Sequence, residues 1–137
     1  MHHFHEGELS VQERAGLRDE ASRLGGMLAA PNLDGGVAHF LAERDLAMIT
    51  ARDDRGDLWT SPLYGRPGFL TARSSTLSIS ATPMAGDPLA PLHPDQQVGV
   101  LVIDFGKRRR LRVNGTVARV GAHGLEIDAD QAYGNCP

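Results

Sequence analysis

The chain has 137 residues, a formal net charge of −3 and a hydrophobic fraction of 41%, which predicts one globular domain. The slightly acidic balance argues against general attraction to nucleic acid or to an anionic membrane surface. No apolar run approaches the roughly 18 residues of a membrane span. With one cysteine, Cys136, the chain cannot form an internal disulfide framework, which favours a reducing, cytoplasmic location.

Residues 1–44 are predicted to form a helical N-terminal segment. Ser10 and Glu13 have the spacing of a capping box, in which each side chain satisfies a backbone N–H of the other residue. Apolar residues then recur at helical spacing, at Leu17, Ala21, Leu24 and Leu28. A second, shorter helix is expected to place Val37, Phe40 and Leu41 on one face.

Histidines are concentrated at the start of the chain, between Met1 and His5. Such a tract can chelate a metal weakly or represent the remnant of a tag, but no nearby residues complete a closed site. We therefore predict no metal. His93 lies alone in a proline-rich stretch, where a structural or merely exposed role is more common than a catalytic one.

Residues 45–137 are predicted to form a small antiparallel barrel of about six strands. Short strands are expected at 46–51, 58–64, 69–72 and 76–80, with Asp53 to Asp57 as a turn that needs Gly56 at positive φ. Pro62 cannot donate a ladder hydrogen bond, so its strand is expected at an edge, beside a bulge or against a ligand. The stretch from Ala81 to Gln97 holds four of the eight prolines and is interpreted as a long ordered loop or a lid.

Two long strands between Val98 and Val120 form the centre of the predicted sheet. The first is almost wholly apolar to Ile103, as expected for a strand buried on both faces. The second alternates, so that one face carries Arg108, Arg110, Arg112, Asn114 and Thr116. Such a face can hold an anion against the sheet, or it can be a solvated basic edge that discourages strand pairing. The periodicity alone leaves both interpretations open.

The sequence contains no recognisable catalytic triad, metal-ligand cluster, phosphate-binding loop or dinucleotide fingerprint. The side chains therefore offer no reactive group of their own. If the chain catalyses a reaction, a cofactor is expected to supply the reactivity.

The run from Arg109 to Gly115 resembles the Arg-Gln-Val-Arg-hydrophobic-acidic-Gly strand of pyridoxamine 5'-phosphate oxidases. Asp57 to Phe69 lies where that family has a strand, a turn and a Gly-Phe pair. The segment from Phe4 to Gly16 and the closing Tyr133 to Pro137 are similar to a bacterial oxidase-related subgroup, some members of which are fused to a flavin and iron–sulfur reductase. The resemblance covers essentially the whole chain.

This resemblance implies a mainly β fold with short N-terminal helices, a six-stranded antiparallel split β-barrel of the FMN-binding type. Residues 1–137 would form one domain, with the barrel in 45–137, and a homodimer would hold FMN at its interface. The positions that match the family's cofactor contacts are Trp59, Thr60, Ser61 and Pro62 for the ring, Arg73, Ser74 and Ser75 for the phosphate, and Arg110 and Arg112 on the arginine strand.

One departure from the family concerns the cofactor, because Arg110 stands where the family has the glutamine that meets the flavin. The other departures concern the substrate. The segment Trp59 to Tyr64 lacks both cations of the corresponding oxidase strand, and the family's C-terminal tryptophan and arginine lie beyond Pro137. Pyridoxamine phosphate oxidation is therefore not expected. The resemblance implies an FMN-dependent oxidoreductase of unknown substrate, with electrons from a reductase or a nicotinamide. The alternatives are a non-catalytic flavin- or haem-related binding module acting with a partner reductase, and a purely structural barrel.

Overall fold

The computed structural model describes residues 31–134, which contain one short helix and seven strands. The helix α1 spans Gly36–Ala42, and the strands are β1 Leu46–Arg52, β2 Leu58–Tyr64, β3 Leu70–Arg73, β4 Thr76–Ile79, β5 Gln97–Asp104, β6 Arg109–Gly121 and β7 Gly124–Gly134. The predicted helix over residues 10–28, the histidine tract and Cys136 lie outside the described residues. No helix within residues 31–134 is long and apolar enough to cross a bilayer.

All strand pairs are antiparallel, in the order β2-β1-β5-β6-β7-β4-β3. The sheet is not closed, since β2 and β3 are its two ends. The prediction of a mainly β antiparallel fold is confirmed, but the strand number is seven and not six. The two short strands predicted at 69–72 and 76–80 are present as β3 and β4, which pair with each other across the Arg73–Ser75 turn, and β4 also pairs with β7. Pro62 lies on the edge strand β2, as predicted.

One face of the sheet, here called the inner face, forms the hydrophobic core. Its alternating side chains are buried, and they include Ile49, Leu63, Leu77, Val100, Val113, Val117 and Ile127. Leu41 from α1 and Leu33 just before it are fully buried against this core. Since burying one Leu or Ile contributes roughly 1.5–3 kcal/mol, this face supplies most of the driving force for folding. The opposite face is called the outer face.

The β5–β6 hairpin confirms the predicted arginine face and corrects one prediction. In β6, Leu111 and Val113 are buried, whereas Arg110 and Arg112 are exposed on the outer face. Arg108 lies in the connecting turn, outside both strands. In β5, burial alternates between buried and half-buried residues, so the expectation of a strand buried on both faces was wrong. Outer-face residues of β5 line the groove described below.

The loop between β4 and β5 is ordered and closes one end of the core. Leu89 and Leu92 pack into the core. Asp87 Oδ1 accepts hydrogen bonds from Ser61 Oγ at 2.6 Å and from the Leu89 amide at 2.8 Å. The Asp95 amide donates to the Val117 carbonyl at 2.7 Å. Of the two predicted interpretations, these contacts favour the ordered loop over the lid.

The β1–β2 turn has the predicted geometry. Gly56 adopts a φ of 86°, which glycine reaches without steric cost. Asp53 Oδ1 accepts the amides of Arg55 and Asp57 at 2.9 Å each, and Asp53 Oδ2 accepts the Trp59 indole N–H at 2.9 Å. Desolvation raises the pKa of Asp53, but these hydrogen bonds outweigh it, so that the pKa lies below its ordinary value. The carboxylate thereby fixes the start of β2 and the Trp59 ring.

Candidate functional site

Strand pairing arranges the outer-face side chains of the central sheet in rows. The first row, the arginine row, runs across the sheet through Pro62, Met48, Leu101, Arg112 and Tyr133. The next row, the polar row, runs through Thr60, Thr50, Gly99, Asn114 and Gln131. Each row collects residues from β2, β1, β5, β6 and β7. The two rows together bring hydroxyl, carboxamide and guanidinium groups onto one continuous surface.

A groove of about 850 Å³ lies over these rows. Its walls come from β1, β5, β6 and β7, and the residues that line it include Thr50, Arg52, Gln97, Gly99, Leu101, Arg112, Asn114, Asp130 and Gln131. This volume falls within the range of small-molecule and cofactor sites. The groove also combines apolar surface from Leu101 and Leu58 with a few convergent polar groups, as such sites generally do.

Gly99 forms the floor of the groove. Its neighbours across the strands are Thr50 and Asn114, and its outer-face neighbours along β5 are Gln97 and Leu101; all four also line the groove. A Cβ at position 99 would lie 3.2 Å from Asn114 Oδ1. The absence of a side chain therefore leaves a flat depression in the sheet, where a planar ring can approach the backbone closely.

The polar row carries its own hydrogen bonds. The hydroxyls of Thr50 and Thr60 lie 2.7 Å apart. The Asn114 side-chain Nδ2 donates to Gln131 Oε1 at 3.4 Å. These contacts hold the side chains on both sides of Gly99 in defined positions. Because carboxamides both donate and accept, the row suits a ligand edge that mixes donors and acceptors.

Positive and negative groups both line the groove. Arg112 projects from β6, and none of the ion pairs seen between residues 31 and 134 includes its guanidinium. Arg52, at another wall, donates to the Gly56 carbonyl at 2.7 Å. Asp130 lines the groove at a β7 bulge opposite Asn114 and Gly115. Arg112 is thus the group best placed to contact an anion in this groove.

The structure separates the four residues predicted to contact the ring. Thr60 and Pro62 lie on the outer face, in the rows that cross the groove. Ser61 is 2% exposed on the inner face, where it donates to Asp87. Trp59, 45% exposed, pairs with Ala51 and donates to Asp53. A direct role for Trp59 or Ser61 at a cofactor stays a prediction, and their present partners are structural.

The predicted phosphate group at Arg73–Ser75 lies in the β3–β4 turn. Arg73 shares an outer-face row with Thr76, Asp128, Thr116 and Gln97. The Ser74 amide donates to Asp34 Oδ1 at 2.9 Å, and the Ser75 carbonyl accepts the Ala129 amide at 2.8 Å. At a strand spacing of about 4.8 Å, Arg73 is two strands, or roughly 10 Å, from the β7 wall of the groove. These three residues therefore stay a prediction as phosphate ligands.

The groove also contains residues that the sequence did not identify as cofactor contacts: Thr50, Gln97, Gly99, Asn114 and Gln131. One signal was present for Gly99, because a glycine within an apolar strand often marks a close backbone approach. Gln131 had no local signal, since a bulge between Ala129 and Gln131 brings it onto the outer face.

Tyr64 and His93 are side chains of types that can donate a proton, and neither lines the groove. His93 Nε2 is 3.2 Å from Asp54 Oδ1, and Tyr64 is exposed on the outer face of the edge strand β2. Within residues 31–134, no group of three His, Cys, Asp or Glu side chains could hold a metal ion. Asp130 is the one carboxylate among the described residues that line the groove, and the other polar groups there are hydroxyl, carboxamide and guanidinium groups suited to recognise a ligand.

No family model and no curated protein matches the chain. Solved structures do match the chain. A variant of HupZ from Group A Streptococcus aligns with a TM-score of 0.54 and 13% identity, over 75% of this chain and 99% of that one. A second HupZ structure gives a TM-score of 0.51 and 14% identity, over 69% of this chain and 87% of that one.

The FAD binding protein from Mycobacterium smegmatis aligns with 17% identity over 70% of this chain and 86% of that one. Its TM-score of 0.49 is too low to support an argument. At 13–14% identity, the likeness to HupZ shows the fold alone. The chain thus shares its open antiparallel β fold with HupZ.

Proposed function

We propose that the chain binds a flavin, FMN in particular, in the outer-face groove. The observation that carries this proposal is the combination of a flat glycine floor, a polar row and Arg112 in one groove of about 850 Å³. The split-barrel type of the FMN-binding family, implied by the sequence resemblance, is part of the proposal. The open antiparallel sheet of seven strands supports it.

The groove matches the three chemical parts of FMN. The tricyclic ring needs a flat surface with apolar walls, which Gly99, Leu101 and Leu58 offer. The polar ring edge needs donors and acceptors, which the carboxamides of the polar row provide. The phosphate needs a cation, and Arg112 lines the same groove. A bound flavin would supply hydride and electron transfer, which the side chains of the site do not.

A haem group fits the described groove less well. Haem iron is held by an axial His, Cys, Met or Tyr ligand. None of the described residues that line the groove is of these types, and Met48 and Tyr133 of the arginine row lie next to lining residues, not among them. His93 and His39 instead lie beside carboxylates, Asp54 and Glu43, away from the groove. The donor set therefore favours flavin over haem.

The direct test is binding by the purified protein. We expect FMN and riboflavin to bind in equilibrium dialysis, with quenched flavin fluorescence and a saturable stoichiometry of one per chain. Thr71→Val, on the outer face of the edge strand β3, serves as a control that leaves the groove unchanged. Saturable binding of haem with no binding of either flavin would refute the proposal.

We further propose that the bound flavin takes part in an oxidoreductase reaction, with electrons from a nicotinamide or from a partner reductase. Hydride transfer to a flavin needs little beyond a stacked donor, so activity does not depend on an acid or base aimed at the substrate. The test is anaerobic: the flavin-loaded protein is mixed with NADH or NADPH, then with a flavin reductase, and bleaching is followed. If neither donor bleaches the flavin, the chain is a binding module.

A further inference from the structure

We propose that Asn114 and Gln131 recognise an imide edge, a ring N–H flanked by carbonyl groups, on the planar ligand of the groove. This inference rests on the proposed function and deepens it, because it names the part of the flavin that determines selection. The pyrimidine end of a flavin carries such an edge. A phosphate, which offers acceptors, and a hydrocarbon ring both lack it.

The first argument is the hydrogen bond between the two carboxamides. Asn114 Nδ2 donates to Gln131 Oε1, so the bond uses one amide atom from each residue. The remaining pair is Asn114 Oδ1, an acceptor, and Gln131 Nε2, a donor. These two atoms belong to neighbouring side chains of one row, because Asn114 and Gln131 are directly paired across β6 and β7. An acceptor and a donor on paired side chains complement the N–H and C=O of an imide.

The second argument is the direction of the Asn114 acceptor. Its Oδ1 atom lies 3.2 Å from the position that a Cβ would occupy at Gly99. The acceptor is therefore directed over the floor of the groove, where a ring stacked on Gly99 would present its edge. Both Asn114 and Gln131 are half-buried, which limits competition from water.

The third argument is the chemistry of the surrounding groups. The other side of Gly99 carries the Thr50 hydroxyl, which is already paired with Thr60. Arg112, in the adjacent row, is a donor only and suits an anion. The Asn114–Gln131 pair supplies an acceptor and a donor from two separate side chains, whereas each threonine offers both through a single hydroxyl. Neutral paired hydrogen bonds of this kind discriminate strongly against a ligand that leaves one of them unmade.

The experiment compares riboflavin with N3-methylriboflavin, in which a methyl group replaces the imide hydrogen. The wild-type protein is expected to bind riboflavin about ten-fold more tightly, since one hydrogen bond is lost and a half-buried acceptor is left unpaired. Asn114→Leu, of similar size, should lower the ratio to about one. Gln131→Met should weaken both flavins alike, because methylation leaves the ring carbonyl in place. Affinities are measured by fluorescence quenching, with circular dichroism as the check of folding.

The outcomes separate this inference from the proposed function. Equal affinity of the wild type for the two flavins overturns imide recognition, although flavin binding itself still stands. A folded Asn114→Leu variant that keeps the full preference overturns the assignment to Asn114. If riboflavin and FMN both fail to bind, the proposed function fails, and the inference fails with it. If Asn114→Leu does not fold, the wild-type comparison still tests imide recognition, and Gln131→Met still tests the donor.

Discussion

A single glycine determines the shape of the groove, and its replacement is expected to remove binding without damaging the fold. Gly99 has a strand neighbour on each side, and valine favours strand conformation. In Gly99→Val the new side chain would occupy the floor and displace Asn114 Oδ1. We expect at least a ten-fold loss of riboflavin affinity with little change in thermal stability. Unchanged affinity would show that the ring does not stack on Gly99.

Two arginines compete as the phosphate ligand, and they can be told apart by comparing FMN with riboflavin. Arg112 lines the groove, whereas Arg73 is about two strands from its β7 wall. A charge-assisted hydrogen bond contributes roughly 1.5–3 kcal/mol, so Arg112→Ala should weaken FMN by ten-fold or more and riboflavin much less. Arg73→Ala is the matched guanidinium control. If Arg73→Ala weakens FMN binding and Arg112→Ala does not, the phosphate lies at the β3–β4 turn, as the family resemblance implies.

At the scale of elements, Ser61 connects the edge strand β2 to the proline-rich loop. Its buried hydroxyl donates to Asp87, which also accepts the Leu89 amide. Ser61→Ala is expected to cost about 1.5–3 kcal/mol of unfolding free energy, the range for a hydrogen bond to a charged group. Urea unfolding measures this loss. Riboflavin affinity should stay unchanged; a large affinity loss at unchanged stability would instead support the predicted ring contact.

The β5–β6 turn is joined to the end of α1 by a second carboxylate. Asp104 accepts the Lys107 amide at 3.1 Å and pairs with Arg44 at 2.7 Å. Both contacts, the Lys107 amide first, hold the pKa of Asp104 below its ordinary value of 3.8. A lowered folded pKa contributes stability that is fully present above the unfolded pKa and is lost as the pH falls through the folded pKa.

The corresponding substitution is Asp104→Asn. It should destabilise the protein at neutral pH, where the largely buried Arg44 guanidinium loses its shorter ion pair and keeps only the one with Glu43 at 3.2 Å. The difference between wild type and variant should begin to shrink as the pH falls below about 4, where Asp104 of the unfolded chain takes up its proton. It should be smallest below the folded pKa, where Asp104 is protonated in both the folded and unfolded states. Urea titrations at neutral and acidic pH measure this change. A difference that does not depend on pH would assign the effect to packing and not to charge.

In the whole molecule, the outer face of the sheet exposes several large apolar side chains to solvent. Leu58 and Tyr64 on β2 are each 64% exposed, and Tyr133 on β7 is 38% exposed. We propose that two copies pair through this face about a two-fold axis, with the flavin between them. Light scattering should show a dimer at micromolar concentration. Leu58→Asp combined with Tyr64→Asp should give a monomer with weakened flavin binding, whereas a wild-type monomer that retains flavin would contradict the proposal.

Local sequence pattern was enough to predict which face a side chain lies on and where a turn or an edge strand occurs. The alternation in β6 placed Arg110 and Arg112 on one face, because side-chain direction has a period of two along any strand. Gly56 indicated a turn, because glycine adopts a positive φ without steric cost. Pro62 indicated an edge strand, because proline has no backbone N–H to donate to a neighbouring strand.

The contacts between residues of different strands depend on strand order and register, which local pattern does not predict. Thr50, Gly99, Asn114 and Gln131 come from four strands, and strand order and register bring them into one row. The residue types from Trp59 to Pro62 do not show which side chains face the core. Ser61 lies on the inner face because it pairs with the buried Ile49 of β1. Local sequence pattern assigns each side chain to a face, but the neighbours on that face are selected by long-range pairing, which no single segment encodes.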